Sequence, residues 1–366
     1  MNSNNTERDS AVSNNWERRW HALLEQWVVI AANSAVRPWS GIISDNKAET
    51  RPAFDKNCYL CPGVTRANGT VNPDYLGTYA IDNDFPSLAL HAPDPNARPA
   101  TSTEKNADTS NTNTDVLTRR ASATGVCRVL CWSEKHNVTM ADLSAEGMRS
   151  VVDLWQTEFT NLRDNPAIKQ VLIFENKGVE TGASNLHPHG QVYGYPFVSD
   201  NAQRMRRAQN NYAQTHPGRG LLTDMLKQAQ REELLVEAST HWSVIVPFAA
   251  RFSYETWVIP HRRVADLSEL TDDELTDLAQ TYQRQAQRYD VLFKRPAPNI
   301  TLIHNAPCDS EDASANQHWH FHIAMQPPLR DPEKLKYLAG AEAGTNNIIN
   351  PLQPEHAALQ LRDCEI

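Results

Sequence analysis

The chain has few of the features that would place it in a membrane, on nucleic acid or outside the cell. No apolar run in its 366 residues approaches the roughly 20 that a spanning helix needs. Lys and Arg number 35 against 44 Asp and Glu, a formal charge of −9. That balance argues against a general nucleic-acid binder and leaves no polybasic membrane patch. The opening MNSNNTERDSAVSNN lacks the apolar core of a secretion signal, and its polar composition reads as a disordered start over 1–14. Cysteine is scarce: six in so long a chain do not make a disulfide framework, and only Cys58 and Cys61 stand in a C-x-x-C. This pattern fits a reducing compartment with one metal or redox pair, so a cytoplasmic protein is expected. With 40% hydrophobic and 22% charged residues, what remains is a soluble globular chain. It is long enough for one large domain or two ordinary ones.

Hydrophobic patterning predicts strands near 27–30, 78–81, 126–132, 171–174, 234–246, 254–259, 300–303 and 318–322. Apolar residues at helical spacing predict a helix over 143–162, and residues 200–233 read as helical with a break at Pro217-Gly218. Thr271-Asp272-Asp273-Glu274 is a capping box that opens a further helix toward Lys294. Residues 92–120, rich in Pro, Thr, Asn, Ser and Asp, read as a long surface loop. Each half of the chain thus holds strands, a long helix and a strand with alternating histidines. This weak internal duplication suggests an α+β fold of two related units, 15–198 and 199–366.

The chemistry centres on Ser184-Asn185-Leu186-His187-Pro188-His189-Gly190-Gln191. In an extended stretch, side chains alternate, so His187 and His189 point the same way and Pro188 points away. One imidazole could bind a metal while the other attacks phosphorus, and Gly190 would let the backbone approach a ligand closely. C-x-x-C is a strong half-site for zinc, because two thiolates on a tight turn converge on one tetrahedral ion. His136 and His187 are candidates for the other half. A Cys58, Cys61, His136, His187 set would be closed, hence structural. A redox pair or an inert reduced pair are the rival readings of the two cysteines.

These segments together resemble the galactose-1-phosphate uridylyltransferase family, a branch of the histidine-triad superfamily. The resemblance rests on Arg37-Pro38-Trp39, Cys58-x-x-Cys61, Asn72-Pro73-Asp74-Tyr75, Asn83-Asp84-Phe85-Pro86, Val126 to Trp132 with His136, Phe174-Glu175-Asn176-Lys177-Gly178, the histidine stretch, His241-Trp242 and Asn316-Gln317-His318-Trp319. It implies two histidine-triad-like domains with antiparallel sheets flanked by helices, in a half-barrel-like arrangement. The reaction it implies exchanges UMP between UDP-glucose and a hexose 1-phosphate through a uridylyl-histidine. By the match His189 is the nucleophile and Gln191 steadies the phosphoryl oxygens. Asn176, Gly182 and Ser184 would hold the phosphates, and Asn83, Asp84 and Phe85 the uridine. Lys336 and Glu342 would belong to the sugar segment, and Arg37 would reach a phosphate across a homodimer interface.

The chain also departs from the family pattern. Of four residues expected at a second metal site, His304 and His322 match, whereas Met205 and Ala324 stand where a Glu and a third His are expected. The expectation is a second site that is absent or rebuilt with His318 or His320. The sugar segment has Ala341 in place of an aromatic, and Asn346, Asn347 and Ile348 where a Gln is expected, which predicts relaxed or altered sugar choice. Ser34 replaces a second Arg near Arg37. A related phosphorylase or transferase with another nucleotide, a hydrolase, and a zinc-stabilised binding protein are competing readings. Gln191, where hydrolases of the superfamily carry a third histidine, favours transfer.

Overall fold

The computed structural model describes residues 16–31, 51–95, 117–309, 313–331 and 334–366, and Arg37 and Ser34 lie outside them. A hairpin of β1 (Trp16–His21) and β2 (Gln26–Ala31) opens the described chain. Nine further strands form one antiparallel sheet. Its first half holds β3 (Tyr79–Asp82), β4 (Val126–Cys131), β5 (Gln170–Lys177) and β6 (His189–Tyr195). Its second half holds β7 (Leu235–Ala238), β8 (Trp242–Ile245), β9 (Thr256–Pro260), β10 (Asn299–His304) and β11 (His322–Gln326). The order across the sheet is β3-β4-β6-β5-β10-β11-β9-β8-β7, so it stays open with edges at β3 and β7. Read outward from the central β5–β10 pair, both halves run in the same sequence of strands, and the antiparallel pairing of β5 with β10 relates them by a pseudo-twofold. A small pair of β12 (Leu329–Asp331) and β13 (Lys334–Leu335) follows, and β14 (Ile349–Asn350) adds in parallel to β2.

One face of the sheet is covered by α1 (Ala145–Arg163) and α4 (Asp272–Phe293). Val151, Trp155 and Phe159 of α1 and Leu278 and Tyr282 of α4 meet Ile173, Val192, Ile303 and Ile323 of the sheet in one core. On the other face, α2 (Asp200–Thr215) and α3 (Leu221–Arg231) cover only the second half. There Met205 and Leu222 join Leu23 and Leu24 of the hairpin turn against Trp257 and Ala324. Short helices α5 (Gly340–Thr345) and α6 (Pro354–Arg362) close the chain. Residues 16–31 come early in the chain but pack on the second half: Arg19 donates to the Phe248 carbonyl at 3.1 Å and to Glu355 at 2.7 Å.

Two predicted strands come out differently. The 234–246 stretch is a hairpin of β7 and β8, because Asp277 of α4 accepts the Ser239 hydroxyl and the His241 amide and fixes a turn between them. The stretch expected as a strand over 318–322 becomes one only at His322.

Candidate active site

β4 and β6 lie side by side, with Cys131 opposite His189. The segments just beyond β4 and just before β6 therefore meet at one end of the sheet, where the C-x-x-C knuckle packs on them. Cys58, Cys61, His136 and His187 are all buried, and their ligand atoms lie within 4.8 Å of one another. Cys61 Sγ is 3.8 Å from His136 Nδ1 and 3.6 Å from His187 Nδ1. A tetrahedral zinc, with bonds of about 2.3 Å to sulfur and 2.0 Å to nitrogen, sets neighbouring S and N atoms roughly 3.5 Å apart, so the residues fit such an ion. The tautomer fits as well. His187 Nε2 is 2.9 Å from the Ser133 carbonyl, which can only accept, so the proton sits there and Nδ1 turns its lone pair to the cluster. Burial pushes the His187 imidazole down to about 4, which keeps it neutral. The Asn72-Pro73-Asp74-Tyr75 motif braces the knuckle: Asn72 donates to the Tyr59 and Cys61 carbonyls, and the Tyr75 hydroxyl to that of Leu60. Asn185 donates to Cys58 Sγ at 3.4 Å and accepts the His187 amide, joining the cluster to the histidine stretch.

His187 lies in a bend, and the strand begins at His189. The His187 carbonyl is 2.7 Å from His189 Nδ1. Again the carbonyl can only accept, so the His189 proton is on Nδ1 and Nε2 carries the lone pair. Burial holds this imidazole below the usual histidine range, against the opposing pull of that hydrogen bond. Gly190 does not serve a close ligand approach, as its place in the sequence suggested. A Cβ there would lie 2.3 Å from the Trp132 ring and 2.6 Å from the Phe174 carbonyl, on the helix-covered face. Trp132 lies across Gly190 and donates its indole N–H to buried Glu175 at 3.0 Å, whose carboxyl burial pushes up to about 7.

Two clefts meet at His189. One brings together Asn83, Asp84, Phe85, Ser184, His189 and Gln191. The other holds Asn176 beside His187 and His189. Gly182 lines neither cleft and takes a left-handed turn conformation, φ 81°, after Val179–Thr181. Lys336 and Glu342 lie in the second half of the molecule, buried and ion-paired at 2.7 Å, and line neither cleft. Sequence reasoning missed Arg66 and Asn68. Arg66 pairs with Asp84 and donates to the Asp82 carbonyl at 2.5 Å, while Asn68 donates to Asp84 at 2.8 Å. Both stand in the Arg-Ala-Asn-Gly turn after the cysteines, but the Asp84 they hold lies across a loop. Phe85 is 79% exposed, a free aromatic face at the cleft.

The histidines of the second half form no comparable centre. His304 and His322 stack with ring centroids 4.7 Å apart. Met205 and Ala324, where a carboxylate and an imidazole were expected, are buried in the apolar cluster under α2. Glu255, a buried carboxylate near them, is occupied by the Arg251 amide and by the side-chain N–H groups of Trp257 and Gln326. His320 is a core histidine whose Nε2 donates to the Pro260 carbonyl at 2.9 Å. Among the described residues the only grouping of three or more metal-ligating side chains is the Cys58 cluster.

Comparison with known proteins accords with this geometry. A family model described as galactose-1-phosphate uridyl transferase, N-terminal domain, matches residues 5–199, and its C-terminal counterpart matches 205–364. The galactose-1-phosphate uridylyltransferase of Rattus norvegicus is 37% identical over 345 residues, 94% of this chain and 86% of that protein. That of Haemophilus influenzae is 36% identical over 349 residues, 94% of this chain and 93% of that protein. A solved uridylyltransferase structure superimposes with a TM-score of 0.71 at 24% identity, over 94% of this chain and 97% of that one. An ADP-glucose phosphorylase from Arabidopsis thaliana with bound ADP-glucose gives 0.75 at 21% identity, over 96% and 99%. The fold is thus one shared by nucleotidyl- and sugar-phosphate-transferring enzymes. The chain belongs to the galactose-1-phosphate uridylyltransferase family.

Proposed function

We propose that the protein exchanges UMP between UDP-glucose and a hexose 1-phosphate, galactose 1-phosphate first among them, by a ping-pong mechanism on His189. The observation that carries this reading is His189 Nε2, its lone pair fixed by the Nδ1 bond to the His187 carbonyl, where two clefts meet. Nε2 attacks the α-phosphorus of UDP-glucose. An N–P bond forms, the P–O bond to the β-phosphate breaks, and the electron pair leaves on glucose 1-phosphate. The imidazole then carries a positive charge, which the His187 carbonyl steadies. An anionic oxygen of the acceptor phosphate attacks the same phosphorus and expels the imidazole. Neither step needs a general base, which accords with a His189 whose Nδ1 faces a backbone carbonyl.

In this reading Asp84 accepts ribose hydroxyls, Asn83 and Phe85 hold the base, and Ser184, Gln191 and Asn176 donate to phosphoryl oxygens whose charge grows in the transition state. Gly182 shapes the loop that delivers Ser184. Zinc in the Cys58 cluster is structural, because four protein ligands leave no open position. Residues 15–198 form the catalytic unit and 199–366 the bracing and sugar-binding unit. Lys336, Glu342 and Arg37 act from a second copy of the chain in a homodimer. A reducing compartment, the cytoplasm, would keep the thiols of Cys58 and Cys61 available to the ion. Intact mass after mixing with UDP-glucose alone tests the reaction. One added uridylyl group, lost in His189→Ala, is expected; no adduct in the parent protein would refute it.

A further inference from the structure

The cleft beside Asn176 also holds Arg51, Lys177 and Asn185, and nothing above gives its cations a task. Lys177 is neutralised, its ammonium 3.2 Å from Asp290. Arg51 is not. Its side chain donates to the Leu186 carbonyl at 2.8 Å, and among the described residues it has no carboxylate within ion-pair reach. A guanidinium offers five donors, and among the described residues the Leu186 carbonyl takes up one of them. The Leu186 carbonyl anchors it three residues from His189, on the histidine stretch itself.

We infer that Arg51, with Asn176, forms the subsite for the phosphomonoester of the sugar 1-phosphate, on the side of His189 away from the nucleoside cleft. The inference rests on the proposed reaction. A phosphorus at His189 Nε2 would have its nucleoside in the cleft of Asn83, Asp84 and Phe85, leaving the Arg51 cleft for the remainder of the donor. When the P–O bond breaks, the departing phosphate gains a negative charge, and a fixed guanidinium favours that dianion over the diester it came from. The same contact holds the acceptor's dianion for the return step. The protein thereby places a cation where charge appears.

The test is calorimetric titration of glucose 1-phosphate and of UMP into the full chain, as the parent protein and as Arg51→Gln and Arg51→Lys. Arg51→Gln is expected to weaken glucose 1-phosphate roughly 10- to 100-fold and to leave UMP within about twofold, with Arg51→Lys recovering part of the loss. Unchanged glucose 1-phosphate affinity in Arg51→Gln would overturn the assignment. Equal loss of both ligands would do so too, since it marks a structural role. No bond forms in the titration, so its answer on Arg51 stands apart from uridylyl transfer, which the mass measurement decides.

Discussion

The two halves of the sheet carry the same hydrogen-bond scheme on a pair of alternating histidines, and only the first pair lines a cleft among the described residues. In the first half His187 donates to the Ser133 carbonyl just past β4, and His189 donates to the His187 carbonyl and opens β6. In the second half His320 donates to the Pro260 carbonyl at the end of β9, and His322 donates to the His320 carbonyl at 3.3 Å and opens β11. The strand registers agree: Gln191 lies opposite Phe174 as Ala324 lies opposite Leu302. What differs is what lies above. His189 opens onto two clefts, whereas His322 is fully buried beneath His304, with Trp257 beside it and His21 of the hairpin packed at a tilt against that indole. The same imidazole geometry thus stands at clefts in one half and in a packed core in the other, according to what packs on the sheet among the described residues.

The sharpest way to break the comparison is to delete each histidine. His189→Ala should lower turnover by on the order of 10⁴-fold or more and abolish the uridylyl adduct. His322→Ala should keep the adduct and cost roughly 1–3 kcal/mol of stability, as changes in a packed core do. A folded His322→Ala protein that forms no adduct, as judged by mass and circular dichroism, would show that the second half takes part in the chemistry.

The metal comes next. Stripping a structural ion held a thousandfold above its dissociation constant costs about 4 kcal/mol, or on the order of 10 °C in a domain of this size. A scanning-fluorimetry melt with and without chelator should show that drop, and His320→Gln should leave its size unchanged. If the chelator has no effect, Cys58, Cys61, His136 and His187 hold nothing that matters to the fold.

A subtler contrast lies one residue further along. Gly190 follows His189, and its counterpart after His322 is Ile323, already filled and buried. Gly190→Ala should cost roughly 1–3 kcal/mol because the Trp132 ring must move, and turnover should fall with it because the ring backs the His189 strand. Ile323→Val, which removes rather than adds volume, should cost roughly 0.5–1.5 kcal/mol and leave turnover alone. Urea titrations with parallel rate measurements separate the two. Equal effects on turnover would mean that Trp132 does not steady His189.

The motif, the thiolate pair and the long helices were legible in the sequence because each is a local signal. Pro188, the C-x-x-C spacing, and the Ser144 and Thr271 caps act within a few residues of themselves. The C-x-x-C needed His136 and His187, and these too were readable as strand-end residues. Other features depend on partners far along the chain. The turn that splits 234–246 is imposed by Asp277, and the role of Gly190 belongs to Trp132. The lock on Asp84 comes from Arg66, and the cover over His322 from a hairpin near the start of the chain. No periodicity encodes which face of a sheet another element will cover. Among the described residues, that decides which histidine pair lines a cleft.

The smallest expected effect concerns the equivalent helices of the two halves. α1 begins at Ser144, whose hydroxyl accepts the Gly147 amide, with no acidic residue at that third position. α4 begins with the full Thr271–Glu274 box, and Arg262 adds an ion pair at 2.7 Å. The Arg262 hydrogen bond, assisted by those from Thr271 and opposed by burial, lowers the Glu274 carboxyl from 4.5 to about 2. A carboxyl with a depressed folded value adds stability that is complete above its unfolded value. That stability is lost as pH falls from 4.5 through about 2. Arg262 is half exposed, so solvent screens the pair, and the cap itself is expected to supply most of the effect, about 1 kcal/mol. Glu274→Gln should lose that amount at pH 7 and close the gap to the parent protein as the pH approaches 2. Urea unfolding at pH 7, 4 and 2.5 reads both proteins. A gap that stays constant with pH would mean that the charge of Glu274 contributes nothing.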